Sequence, residues 1–170
     1  MKKLGILMIS ILIMGCSMID KSPTKAVSSF FQKYQNLDTT ILKDLDTMIE
    51  NTSEMNRKQK EEYKSLFIRQ YQNLSYKIKK EEMSTNKKES DVEVEIEVLN
   101  YQEAKVRAKQ KVIENNEENY IDLQLQEMKQ TTSKIKYDLT IHLENRKGNW
   151  IIRNLTEEDI KKIHGIFEYY

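Results

Sequence analysis

From Asp91 to Leu99 the chain reads DVEVEIEVL, so Val92, Val94, Ile96 and Val98 alternate with Glu93, Glu95 and Glu97. Side chains of a strand point alternately to opposite faces, and this period-two pattern predicts a strand with one apolar and one wetted face. Such strands belong to antiparallel sheets covered on one side. The chain must therefore supply partner strands and a cover. Upstream, LSYKIKKE repeats the alternation with Leu74, Tyr76 and Ile78, and a polar turn at Thr85 to Ser90 joins the two into a hairpin. Downstream, KIKYDLTIHLE places Ile135, Tyr137, Leu139, Ile141 and Leu143 on one face. NRKGN then reads as a turn and WIIRNL as the returning strand. Two hairpins of this kind predict an antiparallel sheet of about four strands.

The cover comes first in the chain. Ser22 caps and Pro23 opens a helix with Ala26, Val27, Phe30, Phe31, Tyr34 and Leu37 at helical spacing. Asp38 caps a second helix, whose stripe is Ile41, Leu42, Leu45, Met48 and Ile49. A third helix runs from about Arg57 to Asn73, with Tyr63, Leu66, Phe67, Gln70, Tyr71 and Leu74 on one side. Between the hairpins, 101–133 reads as a helical insertion, with Ala104, Ala108 and Val112 in one row and a second helix starting near Tyr120. Thr156 caps a closing helix whose first turn carries Glu157, Glu158 and Asp159, and Gly165 ends it.

The beginning of the chain has a different character. Lys2 and Lys3 precede a run from Leu4 to Met14 that is apolar except for Gly5 and Ser10, and Gly15-Cys16 follows. A positive start, a short apolar region and a small residue at the cut predict a secretory signal peptide. The run is shorter than the roughly 20 residues needed to cross a bilayer as a helix. Ile13-Met14-Gly15-Cys16 resembles the lipobox of bacterial lipoproteins, with an aliphatic residue three before the cysteine and a small one directly before it. The resemblance implies that the Cys16 thiol takes a diacylglycerol and becomes the new N-terminus. The organisation expected is then a lipoprotein signal peptide over 1–15, a lipidated cysteine and short tether over 16–21, and one α+β domain over 22–170.

Composition narrows the function. Removal of Lys2 and Lys3 takes the formal charge from +1 to about −1, which leaves no basic excess to suggest nucleic acid as a partner. The mature chain of about 155 residues is one domain by length. Its only cysteine carries the lipid, so neither a disulfide nor thiol catalysis is expected. His142 falls on the polar face of its strand and His164 in the last helix, neither with a second ligand at the spacing of a zinc site. Glu93, Glu95 and Glu97 stand nearly 7 Å apart along the strand. They read as a solvated face opposed by lysines such as Lys77 and Lys79. The runs Lys79-Lys80 and Lys87-Lys88 could touch anionic lipid or wall polymer near a membrane, but the interspersed glutamates make ordinary surface the leading reading. No serine elbow or glycine-rich phosphate loop is present. No catalytic residue, metal ligand or cofactor is expected.

The order of elements, helices first and then a sheet whose apolar face they cover, resembles the nuclear-transport-factor-2-like, or cystatin-like, α+β fold. The lipobox, the tether, AVxxFFxxYQNLD, the Val/Glu strand and DIKKIHGI together resemble small uncharacterised lipoproteins of low-GC Gram-positive bacteria. The fold implied is cone-shaped, with N-terminal helices on a curved sheet, a helical insertion and a C-terminal helix. Cones of this type often keep an aromatic-lined cavity, which makes Tyr34, Tyr71 and Tyr76 ligand-lining candidates against the leading reading of core packing. The expected function is a membrane-anchored, extracytoplasmic, non-catalytic binding or interaction module for a small ligand, a peptide or an envelope protein. The alternatives are an enzyme using the cavity and a structural envelope component or homodimer using the exposed sheet face. The feature separating the enzyme from the rest is a pair of titratable groups buried together, and no such Asp/His or Asp/Tyr pair is evident on an inward face.

Overall fold

The computed structural model describes residues 22–115, 119–153 and 155–168. Three helices come first: α1 (Pro23–Gln35), α2 (Thr39–Glu50) and α3 (Arg57–Asn73). The hairpin β1 (Ser75–Met83) and β2 (Glu89–Leu99) follows. Two inserted helices, α4 (Tyr101–Asn115) and α5 (Tyr120–Gln130), precede β3 (Lys134–Arg146), β4 (Asn149–Ile152) and α6 (Glu157–Ile163). The fold is α+β, with the four strands in one antiparallel sheet of order β1-β2-β3-β4.

Local chemistry sets the helix starts. The Ser22 hydroxyl accepts from Lys25 N at 3.3 Å with Pro23 in the first turn, and Asp38 accepts from Thr40 N at 2.9 Å. Asn56 with Gln59, and Thr156 with Asp159, form capping boxes that fix α3 and α6. The insertion adds no strand. Its two helices pack on each other and on α3, so β2 and β3 pair directly over eleven residues, from Glu89↔Glu144 to Leu99↔Lys134.

The period-two pattern sorts the sheet as expected. Val92, Val94, Ile96 and Val98 of β2, with Tyr137, Leu139, Ile141 and Leu143 of β3, are all buried. They pack against Phe31 of α1, Leu45 of α2 and Phe67 of α3 in one cluster. A second cluster joins the insertion to the body through Leu66, Leu99, Tyr101, Ala104, Leu125 and Met128. Each fully buried side chain of this size contributes about 1.5–3 kcal/mol relative to exposure. A bulge between Ile78 and Lys80 breaks the alternation in β1, and beyond it the strand is exposed on both faces.

Candidate functional site

The aromatic candidates lie where α1 and α3 meet the sheet. Tyr34 and Tyr71 contact edge to face, with ring centroids 5.0 Å apart at 85°. Both are buried. Tyr76 lies apart from them, half-buried, and stacks on Phe31 at 4.9 Å and 22°. Phe30 bridges the two groups through contacts with Phe31 and Tyr34. Burial, reinforced by Asp44, pushes the hydroxyls of Tyr34 and Tyr71 above the ordinary phenol range, so both stay protonated.

Tyr71 reaches a group that helical spacing did not reveal. Its hydroxyl is 2.9 Å from Nε2 of His164, the residue that caps the C-terminus of α6. Phe67 lies against the imidazole with centroids 4.8 Å apart. Burial holds the His164 pKa down to about 4, so the ring is neutral and either partner can donate. Only Asp/His and Asp/Tyr pairs on inward faces were weighed from the sequence, and this Tyr/His pair is one not considered there. The two residues are 93 positions apart. The signal available was Gly165 directly after the histidine, which marks a helix end turning inward. Chemically the pair can hold or pass one proton.

Beside it Gln70, wholly buried, acts as a substitute strand. Its Nε2 donates to Leu99 O at 2.9 Å, and its Oε1 accepts from Leu99 N at 2.9 Å. The amide thereby satisfies both backbone groups where β2 runs out of partners. Gln70→Leu is expected to cost roughly 2–5 kcal/mol, because it leaves a buried donor and a buried acceptor unmade. Chemical denaturation of the variant checks this, and a loss below 1 kcal/mol would show that water reaches Leu99.

A second buried polar group belongs to the insertion. Glu127 of α5 accepts from Arg107 Nε at 2.8 Å and Lys111 Nζ at 2.6 Å, and these bonds hold its carboxyl below the usual range. Arg69 of α3 donates to Lys129 O at 2.7 Å and also to Thr131 O, tying the end of α5 to the body. These contacts are structural and were not legible from spacing.

The outer sheet face is laced with cross-strand pairs. Lys136 and Lys79 hold Glu95 at 2.9 and 3.0 Å and draw its carboxyl down to about 2, and Lys134 holds Glu97 at 3.0 Å. Lys79 therefore plays its expected part, whereas the remaining cations come from β3. His142 is exposed on this face, 2.7 Å from Asp91. Among the described residues no group of three His, Cys, Asp or Glu is placed to hold a metal ion. No helix among them is long and apolar enough to cross a membrane. Cys16, the lipid-attachment candidate, lies outside the described residues. Comparison with protein-family models, curated proteins and solved structures finds no match to this chain.

Proposed function

We propose that this chain is a lipoprotein, anchored through Cys16 on the extracytoplasmic face of a cell membrane, whose single domain is a non-catalytic binding or interaction module. The observation that carries the reading is Ile13-Met14-Gly15-Cys16 behind a charged start and a short apolar run, only six residues before the cap of α1. Two acyl chains hold a protein on a bilayer, where one chain binds only reversibly. The binding-module part is supported by where the polar chemistry lies. The buried amide of Gln70 and the ion pairs of Glu127 serve packing and backbone pairing, which leaves the exposed faces for partners.

Metabolic labelling with palmitate tests the anchor. Wild type is expected to take the label and remain with membranes, whereas Cys16→Ala loses the label and is released to the medium. An unlabelled Cys16→Ala protein that stays in the membrane would overturn the anchor. The enzyme reading keeps one observation in its favour, the buried Tyr71–His164 pair. Ligand density next to that hydroxyl, in protein purified from its native membranes, would support a ligand carrier, whereas turnover of that ligand lost in Tyr71→Phe with an unchanged Tm would move the proposal to catalysis.

A further inference from the structure

We propose that the end of the domain where α1 begins is a docking face for an anionic phospholipid surface, against which the Cys16 anchor holds it; this rests on the lipoprotein reading. Three segments meet there. Asn145 N donates to Lys88 O at 2.7 Å, which sets the β3–β4 turn beside the β1–β2 turn. Thr24 N donates to Glu81 Oε2 at 3.3 Å, which brings the first turn of α1 to the same hairpin. Lys25, Lys87, Lys88 and Lys147 are exposed at this end, and no ion pair to any of them is found among the described residues. The acids nearby are already engaged. Lys80 pairs with Glu82, Arg153 with Glu89 and Arg146 with Glu144, while Glu81 takes the Thr24 amide. Met83, 43% exposed, adds an apolar side chain beside the turn. Exposed lysines without an ion pair among the described residues also occur singly elsewhere, at Lys43, Lys58, Lys77 and Lys109, but at this end the two turns and the start of α1 bring four together.

Chain length selects the occupant. Five residues lie between Cys16 and Ser22, so over these six steps the lipid lies within about 20 Å of α1 at full extension. The far end of the sheet, where β1 starts after Asn73, is about 30 Å from the turns by strand length. Charge on a surface acts over roughly 8–10 Å at physiological salt. Of the two ends, only the basic one starts within reach of the headgroups. Each lysine near an anionic surface strengthens binding by about fivefold.

The test uses the full lipidated chain on vesicles of phosphatidylcholine alone and of equal parts phosphatidylcholine and phosphatidylglycerol. Cys16 is the only cysteine and is blocked by its lipid, so Thr85→Cys at the β1–β2 turn and Gln72→Cys near the far end each give one free thiol for a fluorophore. Headgroup nitroxides are expected to quench the Thr85 label and spare the Gln72 label on the anionic vesicles. That difference is expected to shrink in high salt, on phosphatidylcholine alone, and in Lys87→Glu/Lys88→Glu/Lys147→Glu with an unchanged Tm. Equal quenching at both positions, or quenching indifferent to lipid charge and to charge reversal, overturns the docking face. Flotation separates this failure from failure of the anchor. Protein that does not float with phosphatidylcholine vesicles has no anchor. In that case flotation with the anionic vesicles alone, lost on charge reversal, supports the docking face, and flotation with neither lipid overturns it too.

Discussion

Acidification from about pH 6.5 to pH 4 is expected to remove roughly 3 kcal/mol of stability through His164 alone. The sign follows from which state binds the proton. In the unfolded chain His164 titrates near its ordinary 6.5, whereas burial holds the folded pKa near 4. Between those values the unfolded state carries a proton that the native state lacks, so stability falls as pH falls and the loss is complete below 4. The cause is local. A charged imidazole would sit against the Phe67 ring with its Nε2 committed to the Tyr71 hydroxyl, whose own ionisation is suppressed by burial. Urea denaturation as a function of pH measures this. His164→Gln should lower stability at pH 7 and flatten the slope between 6.5 and 4. His142→Ala, on the exposed face, should retain the slope. A His164→Gln slope equal to that of wild type would assign the acid sensitivity elsewhere.

This linkage shows where the sequence stops being informative. The Val/Glu alternation of β2 and the caps at Ser22, Asp38 and Thr156 are local signals that reappear at their expected places. Both hairpin turns fall where expected but are shorter, since β2 already begins at Glu89 and β3 runs on to Arg146. The insertion read as helical is helical, and the sheet has its four strands. Contacts across long separations were beyond periodicity. Gln70 fell on the apolar stripe of α3, but its use as a strand substitute depends on Leu99 lying opposite, 29 residues on. Lys136 was visible as a strand lysine, yet its bond to Glu95 depends on the β2–β3 register across the whole insertion. The juxtaposition of the two lysine-bearing turns has the same origin. Surface charge read along the chain looked balanced, because its asymmetry exists only after the turns are brought together.

Gly165→Ala is expected to be among the most damaging single-methyl additions available to this domain, costing roughly 2–5 kcal/mol. Gly165 follows the α6 cap with φ +69, a left-handed conformation that non-glycine residues adopt at a cost of about 1–2 kcal/mol. Its neighbours remove any freedom to relax. Gln102 N donates to Gly165 O at 2.7 Å, so the peptide is tied to the start of α4, and a Cβ would run into Leu99 O and Gln70 Nε2. Those two atoms are partners of one another, and the methyl group would wedge apart the bond that replaces a strand. Gly148 supplies the control, since its φ of +89 is also left-handed but its Cβ would meet nothing within 4 Å. Gly148→Ala should therefore cost only the backbone part, about 1 kcal/mol. The clash also makes a prediction about coupling. Combined with Gln70→Leu, Gly165→Ala should cost less than in the wild-type background, because the amide it displaces is already gone, but not zero, because Leu99 O remains in the way. Equal costs for the two alanines would mean that α6 swings aside freely. In that case the burial that lowers the His164 pKa would give way along with it.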